Sequence, residues 1–388
     1  MNFSKLTAFL DSLQTDYNVP GCDCVVFHHH RQVYRRMAGW ADAAHTRTVS
    51  DTDLYYLFSA SKVITCTAFM QLVEQGLVHL DDDLARYLPE FEEMQVLQEM
   101  PPAPIMNLPA QAPTRSAARK IRIVDLLTMT SGLSYDVQTA PILAMQKDTG
   151  GKATTREMMR AIAATPLVCD PAEHWIYSLS HDVLAAVLEV VTGKTFGVYL
   201  QENIFTPLGM KDVHFALRPE EEKRVSELYM HARDSADIAP VPPVNRFRLS
   251  ENYESGGAGL IMPVEEYAKF LEAMSCGGVS VNGHRILRRD TIDRMRRNYL
   301  NEQELQDFRQ TGKVGYGYGL GVRTLIDGST SRSPVGEFGW DGAAGAYVMI
   351  DCENEVGVLY VEHVLGHLDS YFRIHPTIRD LTYEALDL

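Results

Sequence analysis

Ser59-Ala60-Ser61-Lys62 opens the stretch that decides the fold, running on through Val63-Ile64-Thr65-Cys66-Thr67-Ala68-Phe69-Met70-Gln71-Leu72-Val73-Glu74-Gln75-Gly76. From Val63 onward it is apolar on nearly every side, which predicts a buried helix, with Gly76 as its C-terminal stop. A hydroxyl and an amine three residues apart share one helical face, a turn from each other. A serine hydroxyl is a poor nucleophile until a base sits beside it, and a lysine whose pKa is lowered by burial or neighbouring charge can be that base. Ser59 would also lie at the helix N-terminus, where unpaired N–H groups and the helix dipole favour negative charge. The same residues also fit a plain helix cap, with Lys62 reaching out to solvent.

The rest of the chain narrows the choice of chemistry. At 388 residues with a net charge of −15, the chain has room for one large or two unequal domains, and it lacks the basic face that nucleic acid or an anionic membrane surface requires. No apolar run reaches membrane-spanning length. The N-terminus begins an amphipathic helix through Leu10 and Leu13 and lacks the apolar core and cleavage site of a signal peptide. The six cysteines (Cys22, Cys24, Cys66, Cys169, Cys276 and Cys352) are scattered, as expected of reduced thiols in a cytoplasmic protein.

Residues 20–48 read as a β-hairpin, with His28-His29-His30-Arg31-Gln32 around the turn. Adjacent histidines alternate faces and converge poorly on one ion, so the run does not predict a metal. His363-Val364-Leu365-Gly366-His367 has zincin spacing without the glutamate. No metal and no cofactor are expected. From about 54 to 310 the pattern is mainly helical, including Val183–Val191 before Gly193. Strands return at Gly317–Thr324, Ala346–Ile350 and Val356–Glu362, before a closing helix near 376–386. An α+β architecture follows: a sheet domain from residues 1–58 and 313–388, and a mainly helical domain over 59–312. Lid-like excursions are expected near 100–118 and 236–253.

Two further stretches suit acyl transfer. Tyr177, just before the Val183 helix, could share a proton with Lys62. Gly339-Trp340-Asp341-Gly342-Ala343-Ala344-Gly345 precedes a strand whose backbone N–H could complete an oxyanion hole with that of Ser59. There is no G-x-S-x-G elbow.

With these pieces in order, residues 18–365 resemble the serine β-lactamase-related superfamily, in the branch of class C β-lactamases, D-Ala-D-Ala carboxypeptidases and family VIII carboxylesterases. The likeness extends to Leu126-Leu127-Thr128-Met129-Thr130-Ser131-Gly132-Leu133, Pro207-Leu208-Gly209-Met210 and Ser255-Gly256-Gly257-Ala258-Gly259-Leu260. It implies the β-lactamase/penicillin-binding-protein-like fold, an antiparallel sheet flanked by helices. It also implies Ser59 as the acylated nucleophile, Lys62 as its base partner, Tyr177 as proton relay, Trp340-Asp341-Gly342 as third motif, and the N–H groups of Ser59 and Ala343 as oxyanion hole.

Two positions depart from the β-lactamase pattern. Leu179 stands where the second motif carries asparagine, and Trp340 where the third carries lysine. Both changes remove polar recognition of a β-lactam or peptide. His181, four residues after Tyr177, either fills part of the role left by Leu179, so that Leu179, His181, Trp340 and Gly342 line the substrate site, or stands with Asp182 in the first helical turn and faces solvent or a loop. The expectation is a cytoplasmic serine hydrolase acting on small esters, with amides also possible substrates, through an acyl-enzyme. The alternatives are a β-lactamase or D-Ala-D-Ala carboxypeptidase, a transacylase, and a non-catalytic penicillin-binding-like protein.

Overall fold

The structure, a computed structural model, describes residues 1–102, 106–109, 112–232 and 237–388. Helix α1 (Ser4–Tyr17) buries Leu6, Leu10 and Leu13 at helical spacing. The hairpin follows as β1 (Gly21–His28) and β2 (Arg31–Gly39). His29 and His30 make the turn with φ of 51° and 62°, the left-handed geometry that tight hairpin turns demand.

The central helix α2 (Ser61–Glu74) is buried along its whole face from Ser61 to Leu72, as its uninterrupted apolar composition requires. It packs on α3 (Ser180–Thr192). That helix starts three residues before the apolar run that betrays it, because Ser180, His181 and Asp182 form a polar but buried first turn. Helix α4 (Val264–Ser275) follows. The other strands of the main sheet are β3 (Tyr316–Tyr318), β4 (Arg323–Leu325), β5 (Phe338–Asp341), β6 (Tyr347–Asp351) and β7 (Val356–Val361), before the closing helix α5 (His375–Leu386).

These strands form one seven-stranded sheet in the order β2-β1-β7-β6-β5-β4-β3, antiparallel throughout. Its two ends come from the two ends of the described chain, since β1 pairs β7 with Val25 opposite Leu359. Alternation sorts the side chains into two layers. Cys22, Cys24, Val26, Tyr347, Met349, Val358 and Tyr360 pack with α1 and α5. Val25, Val348, Ile350, Leu359 and Val361 join the main core on the opposite face.

Several expectations are refined. Gly317–Thr324, expected as one strand, is two antiparallel strands folded at Gly319-Leu320-Gly321, where Gly319 N–H bonds Val322 O at 2.7 Å and Gly321 has φ of 86°. Helix α4, expected in the helical domain, covers the main-core face of the sheet against β1, β6 and β7. An amphipathic period shows that a helix has a buried face and not which layer it covers. The expected excursions carry short strands: Thr114–Ser116 pairs with Gln95–Leu97, and Ile238–Val241 with Leu228–His231. Residues 103–105, 110–111 and 236 of those excursions lie outside the described residues. Among the described residues no single helix is long and apolar enough to cross a membrane.

Candidate active site

Ser59 lies in a 3₁₀ turn, Phe58–Ala60, that feeds directly into α2. Phe58 adopts φ of 46°, a conformation that costs a non-glycine residue of order 1 kcal/mol or more and persists only where its surroundings impose it. The surroundings are visible: Leu57 N–H bonds Leu260 O at 3.1 Å, Leu260 N–H bonds Ser61 Oγ at 3.1 Å, and Tyr267 OH bonds Ala60 O at 2.9 Å. The turn is thus clamped between the Ser255–Leu260 loop and α4.

One helical turn on, the fully buried Lys62 ammonium has three N–H groups and three acceptors: Ser59 Oγ at 3.3 Å, Tyr135 OH at 3.3 Å and Gly257 O at 2.7 Å. Its Nζ also lies 4.7 Å from the Tyr177 ring centre and 5.1 Å from that of Tyr135. Burial opposes the charge, but Tyr135, Tyr177 and Asp182 outweigh it and hold the Lys62 pKa above its ordinary value. The condition under which the neutral amine would itself be the base, a lowered pKa, is therefore not met here. Every group around the amine accepts hydrogen bonds or presents a π face, so the charged form is favoured.

Asp182 is the buried counter-charge. Its Oδ1 accepts from Tyr253 OH at 2.9 Å and Ser255 Oγ at 2.7 Å. Burial pushes its carboxyl pKa up, against the pull of Ser255 and Lys62. A side chain at Gly257 would place Cβ 2.5 Å from Asp182 Oδ2 and 3.3 Å from Lys62 Nζ, so glycine is what lets this loop carbonyl reach the ammonium.

Tyr177 and Trp340 close the opposite wall. Trp340 Nε1–H donates to Tyr177 OH at 3.0 Å, and the two rings stack with centroids 5.6 Å apart. Tyr135 meets Tyr177 edge-on at 5.2 Å and stacks on Phe247 at 4.6 Å. The end of β5 is fixed by Asp341, whose carboxylate takes Lys313 and, at 2.8 Å, Arg323. These buried cations depress the Asp341 pKa despite its burial. Lys313 also sits 5.7 Å over the Trp340 ring, so the cation near this motif comes from another segment and is neutralised by Asp341. Gly342 lies against the nucleophile turn itself, since a Cβ there would be 2.4 Å from Leu57 O. Ala343 and Phe58 border a cleft of about 940 Å³ walled mainly by apolar side chains such as Leu228, Val241, Phe247 and Leu365.

Of the expected site residues, Ser59, Lys62, Tyr177, Trp340, Gly342 and Ala343 come together. Leu179 and His181 do not line the cleft. Leu179 is 2% exposed and part of the core. His181 is completely buried, with both ring nitrogens 3.7 Å from Cys66 Sγ and its Cε1 beside Gly321. Burial, reinforced by the Lys62 charge, holds its pKa well below the ordinary value. The cause is the early start of α3, which turns this residue toward α2. His363 and His367 are structural: His363 Nδ1 bonds Ser226 O at 2.7 Å, and His367 pairs with Glu362 at 2.9 Å. Tyr135, Asp182 and Lys313 were missed. Tyr135 follows the Thr130-Ser131-Gly132-Leu133 stretch by two residues, the nearest available signal.

Comparison with known proteins agrees with this geometry. Residues 6–380 match the Beta-lactamase family model. Esterase EstB of Burkholderia gladioli is 27% identical over 372 residues, covering 90% of this chain and 87% of that one. Lovastatin esterase of Penicillium rubens is 28% identical over 337 residues, covering 81% and 80%. The structure of EstCE1, described as a hydrolase with promiscuous acyltransferase activity, superposes with a TM-score of 0.77 at 23% identity over 98% of each chain.

Proposed function

The chain belongs to the Beta-lactamase family, and we propose that it is a serine hydrolase that cleaves small esters through an acyl-enzyme, as an esterase rather than a β-lactamase. The observation that carries this reading is the Lys62 cluster: a buried ammonium within 3.3 Å of the Ser59 hydroxyl, with two tyrosine rings against it. Ser59 Oγ attacks the acyl carbon. Its proton is exchanged in one concerted relay: the Tyr177 hydroxyl takes it while giving its own to the leaving alkoxide oxygen, Lys62 stays charged beside them, the C–O bond breaks, and the neutral alcohol leaves. Water then adds to the acyl-enzyme, and the acid departs as Ser59 regains its proton. The N–H groups of Ser59 and Ala343 hold the negative oxygen of each tetrahedral intermediate.

The preference for esters rests on the third motif. Where a β-lactamase has a free lysine, Trp340 presents a ring bonded to Tyr177, and nearby Lys313 is tied to Asp341. Lys313 is therefore not free at this motif to hold a substrate carboxylate, whereas an aromatic wall suits an apolar group. Two named esterases among the relatives support the same choice. Transfer to an alcohol other than water is a second reading, supported by the roomy apolar cleft and by the acyltransferase activity ascribed to EstCE1. The reading extends to a small-molecule substrate and a cytoplasmic location, the latter supported by six free cysteines.

Fluorophosphonate labelling with peptide mapping, run beside a panel of p-nitrophenyl esters and a chromogenic cephalosporin, tests the proposal. An adduct on Ser59 and ester turnover well above cephalosporin turnover are expected. No adduct on Ser59 overturns the enzyme reading, and faster cephalosporin turnover overturns the esterase preference.

A further inference from the structure

Outside the acyl site, the β1–β2 turn meets the C-terminal end of α4. His30 directs ring Nδ1 at Glu272 Oε1, and Cys276 follows α4 as its C-cap. One nitrogen, one carboxylate oxygen and one thiol sulfur from these three side chains lie within 4.8 Å of one another. The Glu272 side chain is only 7% exposed, yet among the described residues its sole ion-pair partner is His30. Its other contact there is the Val281 N–H at 3.0 Å. A buried carboxylate without lysine or arginine calls for another source of positive charge. The His30 ring is about a third open to solvent, at 34%, so an ion has a way in.

We propose that His30, Glu272 and Cys276 form a zinc site, with solvent as the fourth ligand. The mixture of imidazole, thiolate and carboxylate suits a borderline-soft ion and disfavours magnesium and calcium, which take all-oxygen shells. Ligand atoms about 2.0–2.3 Å from a tetrahedral ion are roughly 3.5 Å apart, within reach of a rotation of the partly open His30 ring. The neighbouring histidines take no part. His29 pairs with Glu355 at 2.5 Å and lies tilted against His28 with ring centres 4.1 Å apart, so a single member of the run serves, with partners some 240 residues away in sequence. The ion would staple the hairpin turn to the end of α4.

The test uses the whole protein with Zn²⁺ alone, then Co²⁺ as a spectroscopic probe. After incubation and gel filtration, about one zinc per chain is expected to remain. Affinity falls about 10- to 100-fold or more in Cys276→Ser. Co²⁺ gives a near-ultraviolet thiolate-to-metal band that Cys276→Ser abolishes. The other five cysteines are buried and do not compete. His30→Asn, which tolerates the left-handed turn backbone, also loses the metal and guards against a misfolded serine variant. Ester turnover is unchanged in both variants. Retention well below one equivalent, absence of the Co²⁺ band, or equal binding by Cys276→Ser overturns the proposal.

Discussion

Replacing Gly342 with alanine tests whether the end of β5 and the nucleophile turn form one rigid unit. A Cβ at this position would lie 2.4 Å from Leu57 O and 2.9 Å from Ala346 Cβ. Real Cβ contacts essentially never fall below 3.0 Å, so at least 0.6 Å of separation must be gained against a backbone atom (3.0 − 2.4). Leu57 is hydrogen-bonded to Leu260, and β5 is held by Arg323 and Lys313 through Asp341. The shift therefore spreads into both walls of the site, moving Ser59 relative to Ala343 and Trp340. A displacement of about 1 Å at a reacting centre costs about 100-fold in rate, so a loss of roughly 10- to 100-fold in kcat is expected, with a smaller change in KM. The assay is steady-state hydrolysis of p-nitrophenyl butyrate, with thermal unfolding on the same samples. Gly193→Ala is the control: its φ of 68° makes alanine unfavourable, but no atom lies within 4 Å of the added Cβ. That variant loses about 1 kcal/mol of stability and keeps its kcat. A folded Gly342→Ala protein with unchanged kcat refutes the close coupling of strand and turn.

Other outcomes follow from the same geometry. Tyr135→Phe removes one of three acceptors from a buried ammonium and costs about 1.5–3 kcal/mol in urea unfolding; with Tyr177 still in place, its kcat falls less than that of Tyr177→Phe. Burial raises the Glu189 pKa to about 7. Its folded value exceeds the unfolded one, so stability present below about pH 4.5 is lost as pH rises through 7. After allowance for partial exposure, Glu189→Gln is more stable than the parent by about 1–2 kcal/mol at pH 8 and equal to it near pH 4.5. Burial lowers the His363 pKa to about 4. That contribution is present above about pH 6.5 and lost as pH falls toward 4, so His363→Asn flattens this acid limb by roughly 3 kcal/mol in thermal or urea titrations. Lys313→Met removes one of the two cations on Asp341, whose carboxylate keeps Arg323, and lowers the stability to unfolding by about 1–2 kcal/mol.

Local chemistry was legible in the sequence wherever one segment carries its own message. Ser59 and Lys62 share a helical turn, α2 is apolar all round, and the hairpin is two strand-forming runs about a short polar turn. Contacts between distant segments were not legible. Tyr135 reaches Lys62 from 73 residues away, and Lys313 reaches Asp341 from 28 away. Neither position has a spacing that marks it. The charge state of Lys62 depends on Gly257 O, Tyr135 and Asp182, all brought by other elements, so the direction of its pKa shift had no local signal. His181 was misplaced for a related reason. A hydrophobic period locates the face of a helix well and its first turn poorly, and three residues of shift move a side chain from cleft to core.

The pairing of β1 with β7 also sets an order of events during synthesis. His28 and Val356 are partners in the register, so 328 residues (356 − 28) must emerge from the ribosome before the hairpin gains its neighbour. At about 5–20 residues per second that is a wait of roughly 16–66 s. Throughout it, β1 presents an unpaired edge carrying Cys24, Val25 and Val26, the kind of template that recruits other chains. A chain truncated before β7 is therefore expected to partition into the pellet on expression, even when every residue of the acyl site has been made.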